Sequence, residues 1–353
     1  MKHEFDTPAL RQTAEEIQGA VRAKSITADM VGGTLLALVN ATGEIVETFG
    51  GIGNSITVKA KCKALINVAD WEEEVAQGAA VYVDMFAVGV GATKNLPTQV
   101  FTADENGEVV FTVPCGYGYS VYSKYDGYSA SCQFAFVAGD ADASIELWNY
   151  PIGVYILGDG SLYETAEAWG GDPFNGIVIC SENTSFCILH HKSDEYVSWG
   201  RSGEIVPCLP LINDTAHGTF ADAQAAARQD FNGNLNTLKI LSGYRAAPAA
   251  SWCDTYALNL YYTHWQYFLP SAGQLYLIYQ NKAAINALLK AAKEWDDQDF
   301  TNGFEAIDSE FYWSSTQYDE WCAWRVYMYY GYTYYYSKNL NYYVRAVSAF
   351  QMY

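Results

Sequence analysis

The strongest constraint on this chain lies near its C-terminus. RVYMYYGYTYYYSKNLNYY runs from Arg325 to Tyr343, and ten of the 26 residues from Tyr318 to Tyr343 are tyrosine. A core does not accept that many hydroxyls, because each buried O–H needs a partner. A surface with nothing to bind rarely gathers that many rings. The stretch also alternates. In an extended strand Trp324, Val326 and Met328 share one face while Arg325, Tyr327 and Tyr329 share the other. The first set suits a core and the second a ligand, since tyrosine offers large contact area, a polar tip and little rotamer entropy to lose. Tyrosine and arginine are also enriched among binding hot spots. The competing reading is an aromatic hairpin packed on its own domain, which would leave half these rings without a core to enter.

The 353 residues leave room for two or three domains. With 20 Lys+Arg against 40 Asp+Glu the net charge is −20, which argues against a nucleic-acid partner and against adhesion to anionic lipid. No apolar run reaches the roughly 18–20 residues of a membrane span, so no membrane insertion is expected. The opening MKHEFDTPALRQTAEE lacks the apolar centre of a signal peptide, and synthesis in the cytoplasm is the expectation. Eight cysteines are scattered with no C-x-x-C pair, which reads as isolated thiols and not as a zinc or redox motif.

Three regions follow. Residues 1–50 read as a short helical attachment or oligomerisation segment, with Thr7 as N-cap, Pro8 at N1 and Leu10, Ala14, Ile17 and Val21 at helical spacing. Residues 51–150 read as an all-β sandwich spacer. SITVKAKC, AVYVDMFAV, EVVFTVPCG, YSVYSKY, SCQFAFVAG and SIELWNY are short extended runs between turn residues, with an Asn106-Gly107 hairpin signal. Residues 151–353 read as α+β. Hairpins are expected around Asp159-Gly160 and Glu182-Asn183-Thr184, and helices start at Thr219, with Asp222 at N3, and at Ser271, with Gln274 closing a capping box. Strands return after residue 310.

Catalytic signals are weak. His3, His190, His191, His217 and His264 form no ligand pattern, because adjacent residues of a strand point to opposite faces. No G-x-S-x-G elbow, phosphate loop or H-E-x-x-H is present. Asp296-Asp297 are neighbours in sequence and not opposed across a cleft. AVGVGATKN, Ala87 to Asn95, lies among strands with no helix to follow. No catalytic residue, metal or cofactor is expected.

One set of phrases carries a resemblance. Leu269-Pro270-Ser271, Tyr312-Trp313-Ser314-Ser315-Thr316, Ala323-Trp324 and Val344-Arg345-Ala346-Val347, together with DFNGNLNT from Asp230, resemble the variable proteins of diversity-generating retroelements. Those proteins carry a C-type-lectin-like domain of the formylglycine-generating-enzyme type, and the resemblance covers roughly residues 151–353. Residues 51–150 resemble the immunoglobulin-like repeats of bacterial surface and phage tail proteins. The resemblance implies a C-type-lectin-like C-terminal domain behind an immunoglobulin-like sandwich. It also implies diversification at adenines of AAY codons, which yield Tyr, Asn, Asp, Ser, Thr, Cys, Arg, His and several small or aliphatic residues but never Trp, Met, Lys, Gln or Glu. Glu320, Trp321, Trp324, Met328 and Lys338 are then framework. The diversified ligand-binding surface is Asp319, Cys322, Arg325, Tyr327, Tyr329, Tyr330, Tyr332, Tyr334, Tyr335, Ser337, Asn339, Asn341, Tyr342 and Tyr343.

The implied partner is a variable protein or glycan ligand on a host-cell surface. The implied setting is a phage tail, with residues 1–50 similar to the starts of tail-fibre proteins that form homotrimers. Two alternatives stay open: a bacterial surface adhesin, and an oxidase of the formylglycine-generating type. Two departures count against further borrowing. The Glu-Pro-Asn and Gln-Pro-Asp calcium motifs of sugar-binding lectins are missing, and Cys322 is the one cysteine of the C-terminal stretch where the oxidase needs a pair.

Overall fold

A computed structural model describes residues 55–87, 95–139, 141–158, 160–171, 174–188, 192–243, 246–255, 266–295 and 306–350. The expected helix after Thr7, four of the five histidines and the Asp296-Asp297 pair lie outside them. The chain divides into two compact units, Met1–Asn54 and Ser55–Tyr353; the second is described below.

It begins with eight strands: β1 (Ser55–Asn67), β2 (Glu72–Val75), β3 (Ala80–Ala87), β4 (Gln99–Thr102), β5 (Glu108–Pro114), β6 (Tyr117–Lys124), β7 (Phe134–Val137) and β8 (Ala143–Asn149). β1 pairs antiparallel with β2 and β5 and parallel with β8. The other sheet runs β4-β3-β6-β7. Alternation decides which side is buried. Ile56, Val58, Ala60 and Cys62 of β1 turn inward, as do Val81, Val83 and Met85 of β3. Phe111 of β5 meets Tyr119 of β6 edge-on with ring centroids 6.5 Å apart, tying the two sheets into one core. All six strands expected here form. β2 and β4 were not foreseen: EEEV is an acidic run with no apolar alternation, and it pairs only because β1 continues past its partner β5.

The chain continues with β9 (Gly153–Leu157), β10 (Leu162–Tyr163), α1 (Ala166–Trp169), β11 (Gly176–Cys180), β12 (Ser185–Ile188), β13 (Val197–Ser198), α2 (Asp214–His217), α3 (Phe220–Ala227), α4 (Gly233–Gly243) and α5 (Pro248–Thr255). It ends with β14 (Gln266–Phe268), α6 (Ala272–Gln280), α7 (Lys282–Trp295), β15 (Phe311–Gln317), β16 (Cys322–Tyr327), β17 (Tyr332–Ser337), β18 (Asn341–Tyr342) and β19 (Val347–Ala349). A six-stranded antiparallel sheet runs β10-β9-β11-β12-β19-β14, and β15-β16-β17 form a separate three-stranded sheet. Both expected hairpins are present, as β9-β10 and β11-β12. Thr219 caps α3 by accepting from the Asp222 N–H, and Ser271 caps α6 in a full box with Gln274. The helical region after Ser271 breaks at Asn281, whose side chain donates to the Leu277 carbonyl.

The sandwich is joined to the remainder by a polar seam. β7 is an edge strand, and its exposed backbone needs partners. Gln266 supplies both, accepting from Ala135 N–H and donating to Ala135 O at 2.8 Å each. Asn234 of α4 donates to Gln266 and to the Gln133 carbonyl.

Candidate ligand-binding face

The three-stranded sheet is held by one buried carboxylate. Asp230 accepts from Thr316 Oγ1 at 2.7 Å, from Asn236 Nδ2 at 2.9 Å and from the Asn232 N–H at 3.0 Å. Its backbone carbonyl accepts from Ser271 Oγ. Ser315 N–H in turn donates to Pro270 O, and Ser314 Oγ donates to Trp324 O. Four phrases singled out in the sequence thus meet at one node: DFNGNLNT, the Ser271 helix start, Tyr312–Thr316 and Ala323-Trp324. Burial raises the Asp230 pKa, and the bonds from Thr316, Asn232 and Asn236 oppose that rise. A buried acid so fully served with donors fixes β15 against α4 and α6.

Register sorts the side chains above this node. Across β15-β16-β17 the rows are Phe311, Tyr327, Tyr332; Tyr312, Val326, Thr333; and Trp313, Arg325, Tyr334. Beyond the irregularity in β15, Ala323 faces Tyr336 and Trp324 faces Tyr335. Opposed residues of an antiparallel ladder share a face. One face therefore carries Trp324, Val326, Tyr312 and Thr333, all fully buried. Trp324 packs with Phe220, Ala223 and Ala227 of α3, and its indole donates to Ile212 O at 2.7 Å. The other face carries Tyr327, Tyr332, Tyr334 and Tyr336.

The tyrosine face is open. Tyr329, Tyr330, Tyr332, Tyr334 and Tyr336 are 55%, 56%, 62%, 45% and 39% exposed. They form two groups, Tyr329–Tyr330 and Tyr330–Tyr332 with centroids at 4.3 and 5.4 Å, and Tyr334–Tyr336 at 6.0 Å. The hairpin turn is closed by Gly331, whose positive φ of 71° suits glycine. Tyr329 sits in that turn and not on β16, so it joins the open face through the loop and not through strand alternation.

Of the fourteen positions assigned to the surface, the structure gathers Arg325, Tyr327, Tyr329, Tyr330, Tyr332, Tyr334 and Tyr342 around this face. Asn339 and Asn341 are exposed at the following turn and on β18, and Ser337 is half-buried, donating to Asn339. Asp319 builds the β15–β16 loop, accepting from the Trp321 and Cys322 N–H groups. Cys322 is half-buried on the inner face, and burial pushes its thiol up to about 11. Tyr335 turns inward and stacks on Tyr318 at 3.7 Å. Tyr343 also turns away, against Tyr196 at 4.2 Å and under Lys192. Two residues of the face were missed. Tyr336 shares the parity of Tyr332 and Tyr334, a signal present in the sequence. Phe311 becomes visible only once β15 is paired with β16. Among the framework residues Trp324, Met328 and Lys338 are buried, whereas Trp321 is exposed.

Arg325, like Trp313 in its row, is buried on this otherwise open face, only 5% exposed. Its guanidinium carbon lies 3.7 Å from the Phe311 ring centroid, 3.7 Å from Tyr336 and 4.2 Å from Tyr342. Its Nε is buried with no hydrogen-bond partner. Among the described residues no three His, Cys, Asp or Glu side chains gather as a metal site.

No protein-family model and no curated protein matches the chain. Among solved structures, a fimbrial protein from Bacteroides ovatus covers 84% of this chain and 71% of its own at 13% identity and a TM-score of 0.41. The C-terminal domain of the shaft pilin SpaA from Lactobacillus rhamnosus GG covers 28% of this chain and 98% of its own at 15% identity and a TM-score of 0.19. Both likenesses are too loose to carry a fold name or a function to this chain, and the site's own geometry must do that.

Proposed function

We propose that this chain is a ligand-binding protein whose residues 151–353 form a C-type-lectin-like variable domain, diversified by a retroelement and borne on an immunoglobulin-like spacer. Residues 1–50 attach and trimerise it at a phage tail tip, where the face binds host-cell surface ligands. One observation carries the reading: five tyrosines of a single hairpin stand open while Trp324, Val326, Tyr312 and Thr333 on the opposite face of its sheet are fully buried. A rigid inner face with a variable-compatible outer face is what a diversified paratope needs. Tyr329, Tyr330 and Tyr332 touch rings of their own face, Tyr334 also leans on Phe220 and Tyr336 on Arg325, while Trp324, Met328 and Lys338, which AAY codons cannot yield, are buried.

The oxidase reading is disfavoured by Cys322. A nucleophilic cysteine needs a lowered pKa, and this thiol is pushed up to about 11, first by burial and then by Asp319.

The test uses the full chain, fluorescently labelled, on a glycan array and on intact bacterial cells. A Tyr330→Ser, Tyr332→Ser, Tyr334→Ser triple variant should lose retention while keeping the parent's thermal midpoint. Retention equal to the parent's, or no retention of the parent on any surface, would overturn the proposal.

A further inference from the structure

The tyrosine face surrounds one uncompensated positive charge. Arg325 sits opposite Tyr334 in the ladder, on the same side as Tyr327 and Tyr332. Guanidinium remains protonated in proteins, so this buried group is a cation. Among the described residues it makes no ion pair. What surrounds it is aromatic: Phe311, Tyr336 and Tyr342 all lie within 4.2 Å of its central carbon. Ring faces stabilise a cation through their quadrupole but accept no conventional hydrogen bonds in the plane of the fork. Guanidinium carries five N–H donors in that plane. The Arg325 Nε–H has no hydrogen-bond partner. A buried donor on a charged group left without an acceptor is costly, and a native structure that keeps one invites an explanation.

The missing element is a planar anionic acceptor. A carboxylate fits the guanidinium fork with two parallel bonds. The neighbouring edge of the sheet bears on what carries that carboxylate. β17 is the edge strand of β15-β16-β17, and an extended peptide would pair with its free backbone. The start of that edge is already taken. Gln224 of α3 donates to Thr333 O at 2.7 Å, and Arg228 donates to Gly331 O at 3.2 Å and to Thr333 Oγ1 at 3.1 Å. With α3 across the Gly331–Thr333 end of the edge, recognition there falls to exposed ring faces and hydroxyls. Tyr332, Tyr334 and Tyr336 offer ring faces for the C–H face of a pyranose and hydroxyls for its oxygens.

We propose that this face reads a carboxylate-bearing sugar, with the acid group on Arg325 and the sugar ring on the tyrosines of β17. The inference rests on the face being the ligand surface, and it adds the ligand's charge class. Because Arg325 is itself among the positions assigned to diversification, the preference belongs to this variant and not to every relative.

The experiment is a side-chain NMR titration of the full 15N-labelled chain, with the Arg325 Nε–H signal assigned by its loss in Arg325→Lys. The probes are 3′-sialyllactose, galacturonic acid, lactose and a short Glu-rich peptide. The expected result is a saturable shift of the Arg325 signal with the two acid sugars, at least tenfold weaker with lactose, and at least tenfold weaker acid-sugar binding to Arg325→Lys. No shift with either acid sugar would overturn the proposal, as would equal shifts with lactose or a shift with the peptide alone. If lactose moves tyrosine ring signals but not Arg325, the charge class falls and the ligand face stands. If acid sugars bind the triple serine variant as well as the parent, the ligand face itself falls.

Discussion

Trp324 is the residue on which the division between scaffold and face depends, and its removal tests that division quantitatively. The indole is fully buried among Phe220, Ala223, Ala227, Ala272 and Tyr318, with Tyr335 against it edge-on at 6.0 Å. Trp324→Ala deletes that packing, and large aromatic truncations in cores cost about 3–5 kcal/mol. It also strips the Ile212 carbonyl of its indole donor, adding about 1 kcal/mol. The sum is about 4–6 kcal/mol, a large part of the 5–15 kcal/mol that typically separates folded from unfolded chains. Trp324→Phe keeps a ring and loses the hydrogen bond, for about 1–2 kcal/mol. On the other face of the same sheet Tyr332→Ala should stay within about 0.5 kcal/mol. Urea midpoints with unchanged slopes, supported by near-ultraviolet circular dichroism, measure all three. Trp324→Ala costing no more than Tyr332→Ala would refute the reasoning, since both faces would then be equally dispensable.

Gly331→Ala should lower the thermal midpoint clearly, by about 1–3 kcal/mol of stability, because its φ is positive and a Cβ would fall 2.2 Å from Tyr279. Gly127→Ala, with a positive φ but no atom within 4 Å of the added Cβ, should cost less. Lys338 gives a pH signature. Burial pulls its amine down to about 8, against about 10.4 in an unfolded chain. Between these values the Lys338 site binds more protons in the unfolded chain, so its own contribution to stability rises with pH from about 8 to 10. Buried thiols such as Cys322 act in the opposite sense in both proteins, so the Lys338 contribution is read as a difference: the urea midpoint of the parent relative to Lys338→Met should rise across that range, Gln317 Oε1 still accepting from Val206 N–H in the variant.

Much of this was readable because the signals were local. Alternation at Trp324–Met328, the Thr219 and Ser271 caps and the hairpin turns act over a few residues, and each appears as expected. α4 was not readable. GNLNTLKILSG starts with turn-forming residues, and its Asn234, Asn236 and Thr237 are buried by tertiary hydrogen bonds and not by an apolar stripe. Arg325 was placed on the correct side of its strand, yet as an exposed contact. Its burial depends on Phe311 and Tyr342, which arrive from β15 and β18, and no property of β16 announces them. The inward turn of Tyr335 likewise follows from its pairing with Trp324, which the tyrosine-rich run conceals by offering identical side chains in both parities.

The central claim is that the open face is diversified while the buried face is not. The most direct measurement is sequencing the coding region for residues 310–350, together with its genomic surroundings, across several clones. The expected result is a near-repeat beside a reverse-transcriptase gene, differing only at adenines, with the differences falling on the codons of Tyr329, Tyr330, Tyr332, Tyr334 and Tyr336 and sparing Trp324, Val326 and Met328. Differences spread evenly over both faces, or showing no preference for adenine, would contradict it.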